Sequence, residues 1–380
     1  MTHPDDLASS RTDEAVLKLV RAAGDSSRAE LAAATGIAQS TINQAVSRLL
    51  GRGLLRQITT SPKGAGSGSG RPATRLALAR SSGVTAAIDF GHNHVRVAVA
   101  DARDGFSAER ELLIDVDLRG TEAMETAAAL LRELLDEAGK EMPPALVVGI
   151  PGPVDSRTGL VRSPTILSSW IGMAPAATLG ELLGTSIRIE NDAFLGAYGE
   201  LRHGVGRWAG TFLYVKVSNG VGASLVIDGK PFRGVSGLSG EIGHIALPNR
   251  TEVCRCGNRG CLEAVVSVGA VTAQIALTRQ DPSIDPFTET RPGSPSYRVF
   301  EESGRILGRV LAACCDLLNP NAVVLGGELG ANSPAFVEGV RASIERHAQP
   351  AVAGALRVLA AETGGRAEIV GAMALAEVTA

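Results

Sequence analysis

Glu241-Ile-Gly-His244, followed ten residues later by Cys254-Arg-Cys256-Gly-Asn-Arg-Gly-Cys261-Leu-Glu263, is the most specific stretch of this 380-residue chain. Three thiols at C-x-C-x4-C spacing, with Gly257 and Gly260 between them, let the backbone fold tightly enough for all three to reach one ion. His244 supplies a fourth donor. Three thiolates and an imidazole suit zinc in a closed, four-ligand structural site. One structural Zn2+ per chain is therefore expected on His244, Cys254, Cys256 and Cys261. Buried or redox thiols are the alternative, and the compactness of the cluster speaks against them. Three of the five cysteines lie within eight residues, too clustered for a disulfide framework. Cys314 and Cys315 sit in an apolar helical run and read as core.

On either side of this stretch the chain alternates strands and helices. Val84-Thr-Ala-Ala-Ile-Asp89-Phe-Gly91 reads as an apolar strand ending at an acid and a glycine, with His94–Ala100 as its return. Thr211–Val217, a turn at Ser218-Asn-Gly-Val-Gly, and Ala223–Ile227 repeat the arrangement. Helices are expected at Thr121–Ala138, Ala193–Arg202 and Tyr297–Leu318, and a strand at Ala322–Leu325 ends on Gly326-Gly327. Two strand–turn–strand units separated by helices predict a duplicated, two-lobed α/β domain over residues 82–380. Ligands of such folds bind at the carboxyl ends of strands, between the lobes.

The first 80 residues differ in charge. They carry eleven Lys and Arg against six Asp and Glu, whereas the whole chain has a formal net charge of −3. From Leu31 to Arg80 there are seven basic residues and no acidic one. Such a head suits a polyanion, although a solvated basic face is the plainer alternative. Glu14–Ala23 has helical apolar spacing and stops at Gly24. Ser27-Arg-Ala-Glu30 fits a capping box opening a helix from Arg28 to about Ala34. Gly36 makes the turn, and a third helix runs from Gln39 to Leu50 with Ile42, Val46, Leu49 and Leu50 inward. Its other face offers Gln39, Ser40, Thr41, Asn43, Gln44 and Arg48, side chains suited to base edges and phosphates. A strand from Gly53 to Ile58 and its return at Thr74–Leu78 enclose a Gly/Ser-rich loop carrying Lys63 and Arg71. This is the pattern of a winged helix-turn-helix over residues 13–80. Gly70-Arg71-Pro72 is similar to short elements that lie in the minor groove, where Arg71 meets concentrated negative potential. A three-helix packing module with a disordered loop is the alternative. Together these features predict double-stranded operator DNA as a partner.

No apolar run reaches the roughly 18 residues of a membrane span. The opening Met1-Thr-His-Pro-Asp-Asp lacks the basic-then-apolar order of a signal peptide. A cytoplasmic protein, nucleoid-associated when bound to DNA, is expected.

The Glu-x-Gly-His and C-x-C-G-x-x-G-C-x-E elements, together with Glu190-Asn191-Asp192, resemble the ROK family of repressors and sugar kinases. Gly149-Ile-Pro-Gly-Pro-Val-Asp155 and Leu325-Gly326-Gly327 are similar to further family segments. The resemblance runs from about residue 13 to the C-terminus, and the helix-turn-helix places it with the repressor branch. It implies an actin/hexokinase-like (ribonuclease H-like) two-lobed domain, a homodimer or homotetramer, and a small sugar effector. Asn191, Asp192, Glu241, His244 and Glu263 would bind sugar hydroxyls, His244 using one ring nitrogen for zinc and the other for sugar. Gly152 would let the backbone approach the ligand, or would simply make a tight turn. Glu190-Asn191-Asp192 alone would also fit a helix cap. Ala38 stands where such repressors usually have a capping serine, a change costing about 1 kcal/mol of helix stability.

Kinases of the family use the Asp192 position as general base. Their phosphate loops read D-x-G-G-T and G-T-G, where small residues cradle ATP. Here the loops read Asp89-Phe-Gly91-His92-Asn93-His94 and Val217-Ser218-Asn219-Gly220. These departures favour a sensor in which Asp192 is a vestigial base and no residue is catalytic. The alternative is an ATP-dependent sugar kinase. The expected function is a sugar-responsive regulator, a repressor of carbohydrate-metabolism genes.

Overall fold

The computed structural model describes residues 12–13, 15–20, 25–51, 55–59, 74–78, 83–154, 160–161, 167–278, 285, 287 and 291–379. The chain divides into two compact units, Met1–Ser82 and Gly83–Ala380.

In the first unit, residues 12–13 and 15–20 are helical. A two-residue strand β1 (Asp25–Ser26) precedes α1 (Arg28–Thr35) and α2 (Gln39–Gly51). Both halves of the capping box form: the Glu30 backbone N–H donates to Ser27 Oγ (3.2 Å), and the Ser27 N–H donates to Glu30 Oε2 (2.8 Å). Gly36 closes α1 in the left-handed conformation (φ 67°), which a Cβ would strain. Strands β2 (Leu55–Thr59) and β3 (Thr74–Leu78) pair antiparallel from Leu55↔Leu78 to Thr59↔Thr74. β1 joins the outer edge of β3, giving the order β1-β3-β2. Val16, Val20, Leu31, Ile42, Ala45, Val46, Leu49, Leu55 and Leu76 form the core. Leu50, expected inward, is only half-buried. Gly24, Gly53 and the loop bearing Lys63, Gly70, Arg71 and Pro72 lie outside the described residues.

The second unit contains two five-stranded sheets of matching design. The first holds β4 (Val84–Phe90), β5 (His94–Asp101), β6 (Phe106–Leu113), β7 (Ala145–Ile150) and β8 (Ser186–Asn191) in the order β6-β5-β4-β7-β8. The second holds β9 (Phe212–Val217), β10 (Val221–Ile227), β11 (Lys230–Phe232), β12 (Ala322–Gly326) and β13 (Arg357–Ala360) in the order β11-β10-β9-β12-β13. In each sheet the first three strands form an antiparallel meander, and the last two lie parallel to the first strand. β4, β9 and β12 are buried along their whole length, as strands covered on both faces must be.

Helices α3 (Gly120–Ala138), α4 (Asp192–His203), α5 (Glu263–Val266), α6 (Pro295–Leu318), α7 (Pro334–His347) and α8 (Ala367–Thr379) complete the parts that shape the site. The C-terminal α8 returns to the first sheet, placing Ile369, Ala372, Leu375 and Ala376 against Ala87, Ala98 and Val147. On the way it crosses α4 at backbone contact. A Cβ added to Gly371 would lie 1.8 Å from the Leu195 carbonyl oxygen, and one on Gly199 would lie 2.4 Å from that of Ala367. Cys315 is buried in the second-lobe core and Cys314 is half-buried beside it. No helix among the described residues is long and apolar enough to cross a membrane.

Candidate ligand cleft and metal centre

The β4–β5 and β9–β10 turns occupy equivalent places in the two lobes, and both open on one cavity of about 460 Å³. That volume falls in the range of small-ligand sites. Asn191, Asp192, Glu241, His244, Glu263 and Gly152 all line it, although they come from four separate segments.

Each is positioned by local backbone chemistry. Asn191 ends β8 and caps α4: its Oδ1 accepts from the Phe194 N–H (3.0 Å) and its Nδ2 donates to the Gly152 carbonyl (2.9 Å). The cap and the cleft position are thus one arrangement. Gly152 turns with φ 130°, a conformation open to glycine, and also faces the cavity. Asp192, the first residue of α4, accepts the Ala193 N–H (2.7 Å). Glu190 points elsewhere, into an ion pair with Arg233. Glu241 precedes and His244 ends a short 3-10 turn, Ile242–His244. Gly243 lets that turn lie on β10, since a Cβ there would meet the Val221 carbonyl oxygen at 2.2 Å. Glu263 opens α5 and accepts the Val221 N–H at Oε2 (3.0 Å). Burial, and the charges of Asp192 and Glu263, push the Glu241 carboxyl up to about 7.

The four expected metal ligands converge. One donor atom from each of His244, Cys254, Cys256 and Cys261 lies within 4.8 Å of the others. Cys256 Sγ and Cys261 Sγ are 3.7 Å apart, and His244 Nδ1 is 3.7 Å from Cys254 Sγ. A tetrahedral ion bound to sulfur at about 2.3 Å needs S–S edges of about 3.8 Å, so the Cys256–Cys261 edge and the donor set fit a metal ion. With Nδ1 turned to the thiols, His244 Nε2 is left on the cleft side, 3.8 Å from Glu241 Oε2.

The floor and rim of the cleft add Lys216, Glu368, Asp117 and Arg255, which sequence reasoning missed, to the Asp89–His94 turn, which it noted. Lys216 on β9 donates to Asp192 Oδ2 (2.9 Å) and lies 3.7 Å from Glu368 Oε1. Burial opposes its charge, but Asp192, Glu368 and Asp89 outweigh it and hold the ammonium above the ordinary lysine range. Glu368, at the start of α8, accepts the Tyr214 hydroxyl (3.0 Å), and burial raises its carboxyl. Asp89 is only 1% exposed and neither of its carboxylate oxygens is hydrogen-bonded. The His94 ring folds over Gly91, with Nε2 3.6 Å from Asp89 Oδ2. At the rim, Arg255 of the metal loop donates to Asp117 Oδ2 of the first lobe (2.9 Å), and His92 Nδ1 lies 2.7 Å from Asp117 Oδ1. Lys216 did leave a signal, as a lone charge in an otherwise apolar strand. Glu368 and Asp117 left none.

In the first unit, Gln39, Ser40, Thr41, Asn43 and Gln44 are exposed on α2, opposite the core. Arg48 is half-buried instead and donates to Asp13 Oδ1 (2.8 Å). Ala38 occupies the cap position through its backbone alone, its carbonyl accepting the Thr41 and Ile42 N–H groups.

Residues 9–56 match winged helix-turn-helix DNA-binding domains, and residues 85–379 match the ROK family. The xylose repressor of Bacillus spizizenii is 25% identical over 91% of this chain and 89% of its own length. A solved ROK family transcriptional regulator, a homolog of the Escherichia coli MLC protein, is 21% identical and superposes with a TM-score of 0.77 over 98% of both chains. A ROK family glucokinase from Streptomyces griseus, solved with glucose and AMPPNP, is 24% identical and has a TM-score of 0.66 over 77% of this chain and 99% of its own. The fold is therefore the expected one, a winged helix-turn-helix followed by a two-lobed actin/hexokinase-like α/β domain. Its duplicated sheets, the cleft between them and the matched 295-residue span make this chain a member of the ROK family.

Proposed function

We propose that this protein is a sugar-responsive transcriptional regulator, a repressor of carbohydrate-metabolism genes. The observation that carries the reading is the convergence of Asn191, Asp192, Glu241, His244 and Glu263 on one cavity, in a chain whose α2 exposes a polar face. Carboxylates, an amide and an imidazole bind the paired hydroxyls of a sugar while satisfying one another. Zn2+ is the ion proposed for the metal centre, one per chain, with a structural role. Residues 13–80 are the proposed DNA-binding domain and 82–380 the sugar-binding and oligomerising one. The protein would work in the cytoplasm as a homodimer or homotetramer, at the nucleoid when bound to DNA.

No catalytic residue is proposed. Asp192 is paired with Lys216 and is assigned a hydroxyl-binding role. His94 also fills the space over Gly91, where a phosphate-binding turn must stay open. Closure of the lobes on a sugar would shift the heads of an oligomer relative to each other and so change their match to half-site spacing.

Linkage requires the sugar and the operator to change each other's affinity by the same factor, about 5–150-fold for a coupling of 1–3 kcal/mol. Calorimetric titration of sugar into protein with and without operator measures that factor. Equal affinities would reject allosteric control, and ATP-dependent phosphorylation at ordinary enzymatic rates would favour the kinase reading.

Gln39, Ser40, Thr41, Asn43 and Gln44 are the proposed base-reading residues. Arg48, Lys63 and Arg71 would hold the phosphates and the minor groove, Arg48 by exchanging Asp13 for a phosphate. Asn43→Ala is expected to relax preference at one base pair by about 1–3 kcal/mol. Binding measured across single-base operator variants checks this, and an unchanged preference profile would remove Asn43 from the reading face.

A further inference from the structure

We infer that the cleft takes a monosaccharide bearing no phosphate or carboxylate, because every cation facing it is already held between carboxylates. The inference rests on the sugar-binding reading above and narrows it to a chemical class.

Six carboxyl groups line the cavity, from Glu111, Asp192, Glu241, Glu263, Glu328 and Glu368, against two cations, Arg96 and Lys216. Neither cation is available. Arg96 Nε donates to Glu111 Oε2 (2.8 Å) and lies 3.4 Å from Glu109 Oε1, while its Nη1 donates to the Gly365 carbonyl (3.0 Å). Lys216 is held by Asp192 and Glu368. Arg255 at the rim is divided in the same way, between Asp117 at 2.9 Å and Glu263 at 3.8 Å.

Part of the backbone lining is committed in the same way. Phosphates are cradled in this kind of fold by free N–H groups in glycine-rich turns. Here the Gly91 N–H donates to the His94 carbonyl (3.0 Å) and the Ser218 N–H donates to the Gly220 carbonyl (2.9 Å). The Glu328 N–H, where β12 passes into the next helix, donates to Ser218 Oγ (3.0 Å). Those three N–H groups are already committed.

A phosphate ester brings a charge of about −1.5 to −2 and needs charge-assisted donors. To pair with a cation here it would have to displace a carboxylate from Arg96 or Lys216 and leave that carboxylate unpaired in the same cleft. A neutral sugar faces no such conflict. Its hydroxyls donate to the carboxylates, and their oxygens accept from Asn191 and His244.

The test is calorimetric titration of the full-length protein with D-xylose, D-glucose and N-acetylglucosamine, each beside its terminal phosphate ester. The free sugar that binds should do so at least about tenfold more tightly than its ester, as repulsion from one unpaired nearby carboxylate is enough to produce. Glu328→Gln removes one acid from the lining and should narrow that ratio, with the free sugar affected less than the ester. An ester that binds as tightly as its parent, or more tightly, overturns the inference while leaving a sugar site in place. A ratio untouched by Glu328→Gln overturns the electrostatic basis given for it. Binding by no member of the panel overturns both this inference and the sugar reading beneath it.

Discussion

Lys216→Met is expected to destabilise the C-terminal unit by about 3–5 kcal/mol, the usual cost of removing one partner from a buried ion pair. The lysine is 8% exposed, and its ammonium is the counter-charge for Asp192 and Glu368, with the buried Asp89 close enough to add to its field. Methionine keeps most of the volume, so the loss should be electrostatic and not a cavity effect. Without the ammonium, the buried carboxyls hold protons more strongly in the folded state than in the unfolded one. A group with a raised folded-state pKa favours the fold only at low pH, so the deficit should be greatest at neutrality and shrink towards about pH 4. Both tryptophans, Trp170 and Trp208, lie in this unit. Urea unfolding followed by tryptophan fluorescence therefore reports on it directly. Adding Asp192→Asn should recover part of the loss, because the two residues are in contact and their effects are not additive. A Lys216→Met protein as stable as the parent at pH 7 would show that water, not lysine, supports these acids.

Cys256→Ser is expected to strip the metal from the protein and weaken its sugar response in the same step. Outer partners of metal sites are worth about 10–100-fold in affinity, and a direct thiolate ligand more than that. The two losses should go together because the metal loop is tied to the cleft at both ends. His244 faces the thiols with one nitrogen and Glu241 with the other, and Glu263 follows Cys261 by two residues and holds the start of β10. Arg255, between two ligands, also grips Asp117 of the opposite lobe. Elemental analysis of freshly purified protein checks the first half, with one zinc per chain in the parent and substoichiometric metal in the variant. Titration of the bound sugar checks the second. A parent protein free of zinc would reject the metal assignment. A metal-free variant with full sugar affinity would reject the coupling.

Local spacing along the chain was enough to single out the candidate metal donors, which the fold brings within 4.8 Å of one another, and the helix-turn-helix. Cys254, Cys256 and Cys261 lie within eight residues, and the glycines between them permit few closures other than one around an ion. Ser27, Glu30 and Gly36 act on backbone groups one turn away, so the start and stop of α1 follow from their identities. Amphipathic spacing likewise located α2, α3, α4 and α6 to within two residues at either end. Strands were less legible. β1 has two residues, too few to show alternation, and β6, on a sheet edge, buries no side chain fully.

The resemblance carried in the short motifs named the cleft residues, but it could not assemble the charges around them. Lys216 meets Asp192 across 24 residues, Arg255 meets Asp117 across 138, and Tyr214 meets Glu368 across 154. Arg48 turns to Asp13 for a similar reason, since its partner lies 35 residues away on the first helical segment. Such pairings depend on which strands become neighbours and where α8 crosses back. Sheet register and helix packing set both, by burying apolar faces hundreds of residues apart. A carboxylate's neighbours along the chain therefore say little about the cation it will face. The sequence by itself determined what could bind a metal and where the exposed polar face of α2 would stand; only the tertiary structure decided that the cations of the cleft were already taken.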